Sequence, residues 1–110
     1  MNADSRTGTE PAADVGALID EGLAAPGILP TYERLVELDQ LLRAAIVKML
    51  PVAQTAADEL NRGTPEWYSR QTAIDEARKV LAGNLGAGLR SAALHVAELA
   101  RRCYALQGRR

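Results

Sequence analysis

The stretch "IVKMLPVAQ", Ile46 to Gln54, sets a proline in the middle of an apolar helical pattern. Whether Pro51 ends one helix or lies inside a longer one decides how this chain can build a core. Working outward, Leu35, Leu38, Leu42, Ala45, Met49, Val52, Ala56 and Leu60 recur at steps of three and four, the spacing of one helical face. The stripe keeps its phase across Pro51, and a chain that broke there would seldom resume on the same face. Pro51 still lacks an amide donor and crowds the carbonyl of Val47, so a bend is expected. The pattern predicts one kinked helix from Thr31 to about Asn61, with two helices meeting at a tight corner as the alternative. Thr31 can cap its first turn, and Glu33 sits where the helix dipole favours an anion.

Downstream, "NRGTPEW" marks a boundary. Gly63 suits a left-handed helix stop, Thr64 a cap and Pro65 a first helical position, where its missing amide costs nothing. The next helix is predicted to run to about Ala82, with Trp67, Gln71, Ile74, Ala77 or Arg78, and Leu81 near one face. "AGNLG" supplies another stop, Gly83 ending that helix and Asn84 capping a third. Leu85, Leu89, Ala92, Val96, Leu99 or Ala100, Cys103 and Leu106 mark the third stripe.

Upstream, residues 1–12 are polar, turn-rich and without apolar periodicity, and read as a disordered tail. Residues 13–30 read as a weakly ordered segment in which "DVGALIDEGLA" suits a short N-terminal helix capped by Asp14, weakened by Gly16 and Gly22. "APGILP" then punctuates the chain. No strand pattern competes. The fold class expected is all-α: an antiparallel three-helix bundle over residues 31–108, with a kinked long first helix and a short N-terminal helix as an addition.

With 110 residues, the chain has length for one domain. Hydrophobic residues are 47% of it, yet there is no Phe and aromatics are 4%, so the core must come from Ala and Leu. Small side chains bury little area each, at roughly 25 cal/mol per Å², which makes self-association a reasonable expectation. The net charge is −1, but residues 1–60 carry a balance of −6 and residues 61–110 one of +5. A lone cysteine, Cys103, offers no internal disulfide, and no leader-like or membrane-length apolar run is present. A cytoplasmic protein without membrane association is expected.

Reactive groups are scarce. His95 is the one histidine and stands eight residues from Cys103, about 12 Å along a helix and too far for a nucleophile pair. One His and one Cys do not make a zinc site. "GNLGAG" lacks the strand and the Lys-Ser/Thr of a phosphate-binding loop. No catalytic residue, metal or cofactor is therefore expected, and an enzyme ranks third among the readings. An interaction protein ranks first, using Leu41 and Ile46, which widen the apolar face of the long helix, and the aromatic side chains Trp67, Tyr68 and Tyr104. The alternative is a nucleic-acid-associated regulator using Arg78, Lys79, Arg90, Arg101 and Arg102 of the basic second half.

The segments "LDQLLRAAIVKMLPVA" (Leu38–Ala53), "AIDEARKVL" (Ala73–Leu81) and "GLRSAALHVAELARRCYAL" (Gly88–Leu106) together resemble a streptomycete family of short proteins of unknown function. The resemblance covers most of residues 34–107 and implies no active residues. It directs attention to Arg43, Glu76, Arg78, Arg90, His95 and Arg101 as candidates for a network between helices.

Overall fold

A computed structural model describes residues 15–107. The expected tail at residues 1–12, the Asp14 cap and residues 108–110 lie outside them. The described chain is all-helical, with α1 at Val15–Ile28, α2 at Tyr32–Asp58, α3 at Pro65–Leu81 and α4 at Leu89–Leu106. Among the described residues there are four helices where three were expected to carry the core.

The long helix is unbroken through Pro51. Leu35, Leu38 and Leu42 are fully buried along it, as the stripe predicts, and Ile46 rather than Ala45 carries the buried row one turn further. Thr31 caps it, its side-chain oxygen accepting from the Arg34 amide at 3.1 Å. Beyond the proline the expected stripe drifts: Val52 is exposed, and Ala57 rather than Ala56 closes the buried row. The helix stops at Asp58, so Gly63 does not end it. Gly63 instead takes φ +86° inside the following turn. Thr64 and Pro65 act as expected, with Thr64 Oγ1 accepting from the Trp67 amide at 3.2 Å.

α1 is longer than "APGILP" suggests, because it runs through Pro26 and Gly27 to Ile28. It closes at Leu29, which adopts φ 53° while its amide donates to the Ala25 carbonyl at 2.7 Å. Burial of Ile19, Gly22 and Ala25 supplies the stabilisation that local propensity lacks. The helix packs chiefly on α4. The helices lie tightly together at Gly22, since a Cβ placed there would lie 2.8 Å from the Ala100 Cβ and 3.1 Å from Leu42 Cδ1.

α4 touches each of the other three helices. Ala92, Ala93, Val96, Ala97, Leu99, Ala100, Cys103 and Leu106 are its buried residues, a wider face than a single stripe. It begins at Leu89 behind Gly88, and no side chain caps it, which corrects the assignment of Asn84 as its cap. Gly86 and Gly88 disfavour helix. Side chains from α2 also hold the loop open: Tyr32 Oη donates to the Gly86 carbonyl at 2.8 Å, and Arg43 Nη2 to that of Gly83 at 2.6 Å. The core is aliphatic, built from leucine, isoleucine, valine and alanine side chains with Cys103 among them.

Candidate functional site

Two features stand out: a polar cluster and an apolar groove. The cluster forms where α2, the end of α3 and α4 meet. Arg43 donates from Nε to Asp39 Oδ1 at 2.9 Å, from Nη1 to the Leu81 carbonyl at 2.8 Å and from Nη2 to the Gly83 carbonyl. Nη2 also lies 3.0 Å from His95 Nε2, and Asp39 Oδ1 lies 3.4 Å from the same nitrogen. A guanidinium can only donate and a carboxylate only accept, so the shorter of the two contacts, that of Arg43, favours Nε2 as acceptor, with the proton of the neutral ring on Nδ1. Burial first, and the Arg43 charge second, hold His95 below its ordinary value against the opposing pull of Asp39 and Glu98. Arg43, Asp39 and His95 therefore tie one turn of α2 to the α3–α4 loop and to α4.

Arg43 and His95 were legible as network candidates, but Asp39 was missed, although it stands four residues before Arg43 on the same helical face. The other candidates do not join them. Glu76 faces Lys79 at 3.7 Å within α3, and Arg101 donates to Glu98 at 2.8 Å within α4. Arg78 Nη2 reaches Gln54 Oε1 at 3.4 Å, and Arg90 is exposed. A further pair was invisible to local spacing: Arg34 on α2 grips Glu21 on α1 with two hydrogen bonds of 2.7 Å. These bonds hold the Glu21 carboxyl below the usual range and the guanidinium above its own.

The groove has a volume of about 830 Å³ and lies between the start of α1, the outer face of α2 and the end of α4. Leu41, Ala45, Met49, Val52 and Ala56 line it from α2, Val15 and Leu18 from α1, and Leu106 from α4. Its charged lining residues are Lys48 and Arg70. A smaller cleft of about 400 Å³ between α3 and α4 shares Ala53, Arg70 and Leu106 with it and adds Glu66, Glu76 and Arg102.

The expected interaction residues divide. Leu41 is 41% exposed and lies in the groove. Ile46 is fully buried, which corrects its reading as a surface residue: it continues the Leu38–Leu42 row by one more turn. Trp67 is half-buried, edge-on to Tyr68 at 5.0 Å and 5.7 Å from the Arg62 guanidinium. That aromatic pair sits at the α2–α3 turn. Tyr68 and Tyr104 are exposed, and neither they nor Trp67 line the groove. The basic candidates are also dispersed, because Lys79, Arg101 and Arg102 each face a carboxylate. Glu98 lies between the last two, and its carboxyl is held low chiefly by the Arg101 hydrogen bond.

Cys103 is buried, and desolvation pushes its thiol up to about 11. A thiol so protonated at neutral pH is a poor nucleophile and metal ligand. Among the described residues no group of three or more His, Cys, Asp or Glu side chains is placed to hold a metal ion, and no helix is long and apolar enough to cross a membrane.

A family model described as a family of unknown function, DUF6415, matches residues 11–109. The chain belongs to DUF6415. The match takes in all four helices, α1 included, so the DUF6415 unit extends beyond the segments 38–53, 73–81 and 88–106 that carried the resemblance. No curated protein and no solved structure matches.

Proposed function

We propose that this DUF6415 member is a small cytoplasmic interaction protein without an enzymatic role, self-associating through the apolar groove and serving a regulatory function. The observation that carries the reading is the groove itself. It places Leu41 and Val52, 41% and 71% exposed, on the water-facing side of the longest helix. Contiguous apolar surface of this kind costs free energy in water and marks binding surfaces. The core offers little to offset it, being built from alanine and medium aliphatic side chains without aromatic rings. In this reading α2 and α3 form an antiparallel pair within a bundle bent at Pro51. The pairing of Arg43 with Leu81 and of Gln54 with Gln71 supports opposite running directions.

Sedimentation equilibrium from low to high micromolar concentration tests the reading. A mass above 11.8 kDa that rises with concentration is expected. Val52→Glu, at an exposed groove position, is expected to abolish the rise and leave the helical circular-dichroism signal intact. A wild-type chain that stays at 11.8 kDa throughout overturns the reading.

A second reading, a nucleic-acid-associated regulator, draws on Arg78 and Arg90, which are exposed and make no ion pair among the described residues. Binding to duplex DNA at about 50 mM salt, weakening steeply as salt rises, supports it. Absence of binding under that condition removes it.

A further inference from the structure

We propose that the groove receives the outer face of α1 from a second copy of this chain, with Asp20 of that copy set against Lys48 and Arg70. The inference rests on the self-association reading and names the two surfaces that meet. The groove's charged lining residues are both basic, and neither has a carboxylate partner among the described residues. An occupant suited to it is apolar and carries a carboxylate.

α1 has that chemistry on the side turned away from its own core. Asp20, Ala24 and Ile28 stand four residues apart on one exposed row, with Leu23 beside them. Ile28 is 71% exposed and Leu23 41%. Only two of the helix's 14 residues are charged, Asp20 and Glu21, and a helix apolar nearly all round is normally covered on both sides. Glu21 is occupied by Arg34. Asp20 is exposed and makes no ion pair among the described residues, so it is the carboxylate α1 has to offer.

The dimensions agree. At 1.5 Å per residue α1 is about 21 Å long, and the groove follows α2 from Leu41 to Ala56 for about 22 Å. Ala44, Ala45, Ala53 and Ala56 line the groove with short side chains, which lets a second helix lie close, as in recognition of a helix by a groove. Each copy carries both surfaces, so a two-fold arrangement in which both contacts form at once fills both grooves and closes the assembly at two.

Charge exchange tests the pairing. Asp20→Lys and Lys48→Glu are each expected to weaken self-association about three- to tenfold at low salt, and an equimolar mixture of the two variants is expected to regain wild-type affinity. The mixture sets Lys at position 20 against Glu at position 48 in one contact and keeps the native pair in the other. Ile28→Glu, outside the buried core, is expected to weaken association at least as much, with circular dichroism reporting the intact fold. If wild type associates and Val52→Glu abolishes it while Asp20→Lys, Lys48→Glu and Ile28→Glu leave it unchanged, this pairing is overturned and the groove reading stands. If the two charge variants weaken association but their mixture does not recover, the pairing is likewise overturned. A monomeric wild-type chain removes both.

Discussion

Arg43 Nη2 and His95 Nε2 lie 3.0 Å apart, a guanidinium donating to a ring nitrogen across two helices. The same nitrogen of Arg43 donates to the Gly83 carbonyl, so α2, the α3–α4 loop and α4 are fastened at one point. The Arg43 contact requires a neutral imidazole. A protonated ring has no acceptor to offer and sets a second cation against the first.

Stability is accordingly expected to fall as the solution becomes acidic. His95 is held below its ordinary value in the folded state, so the unfolded chain takes up its proton first. The contribution is fully present above about pH 6.5 and is lost progressively as pH falls from there toward the lower folded value. Urea denaturation from pH 7.5 to 5 measures the slope. His95→Gln, whose amide oxygen can still accept from Arg43, is expected to flatten it. The lowered carboxyls of Glu21 and Glu98 add a separate loss in the more acidic range, below the usual carboxylate value.

Arg43→Met is expected to cost about 1–3 kcal/mol, because it leaves the Leu81 and Gly83 carbonyls and Asp39 without their charged donor. Arg43→Lys is expected to recover part of that at most, since an ammonium cannot reproduce the planar fork that reaches Leu81, Gly83 and Asp39 together. Hydrogen exchange at the amides of residues 83–88 should accelerate in both variants. Unchanged exchange there would show that the loop is held by other contacts.

Gly22→Ala sets two effects against each other. Alanine favours helix over glycine by about 1 kcal/mol, but its Cβ would meet Ala100 Cβ at 2.8 Å. That atom belongs to a short side chain on a packed helix and cannot swing away. The overpacking cost of about 1–3 kcal/mol is expected to win, and α1 should exchange its amides faster than α4 does. A stabilised variant would mean that α1 shifts along α4 freely.

Pro51→Ala restores a donor for the Val47 carbonyl at an exposed position inside α2. Proline in a helix interior costs about 3 kcal/mol, so the variant is expected to be more stable by about 1–3 kcal/mol in thermal or urea unfolding. Destabilisation instead would mean that the geometry the proline imposes is needed to seat α3 against α2.

The helices themselves were largely legible, for physical reasons that can be named. Leu35, Leu38 and Leu42 form one row whose burial requires only helical periodicity, and Thr31, Thr64 and Pro65 act through bonds within a few residues of chain. Local rules failed where distant side chains intervene. Asn84 is well suited to capping, yet Arg43 and Tyr32 occupy the loop around it and delay α4 to Leu89. Pro26 and Gly27 are proper stop signals, yet burial of Ile19, Gly22 and Ala25 carries α1 past them.

The sequence alone determined that the described chain is helical, that α2 persists through Pro51 and that the core is aliphatic, because periodicity, caps and composition act over one or two turns. Tertiary structure alone decided that α1 joins the core, that Asp39, Arg43 and His95 converge, and that Ile46 is buried while Leu41 opens into a groove. Those outcomes depend on which helix lies across which, and the contacts that set them, such as Glu21 with Arg34 and Gly22 with Ala100, join residues too far apart in the chain for local spacing to relate.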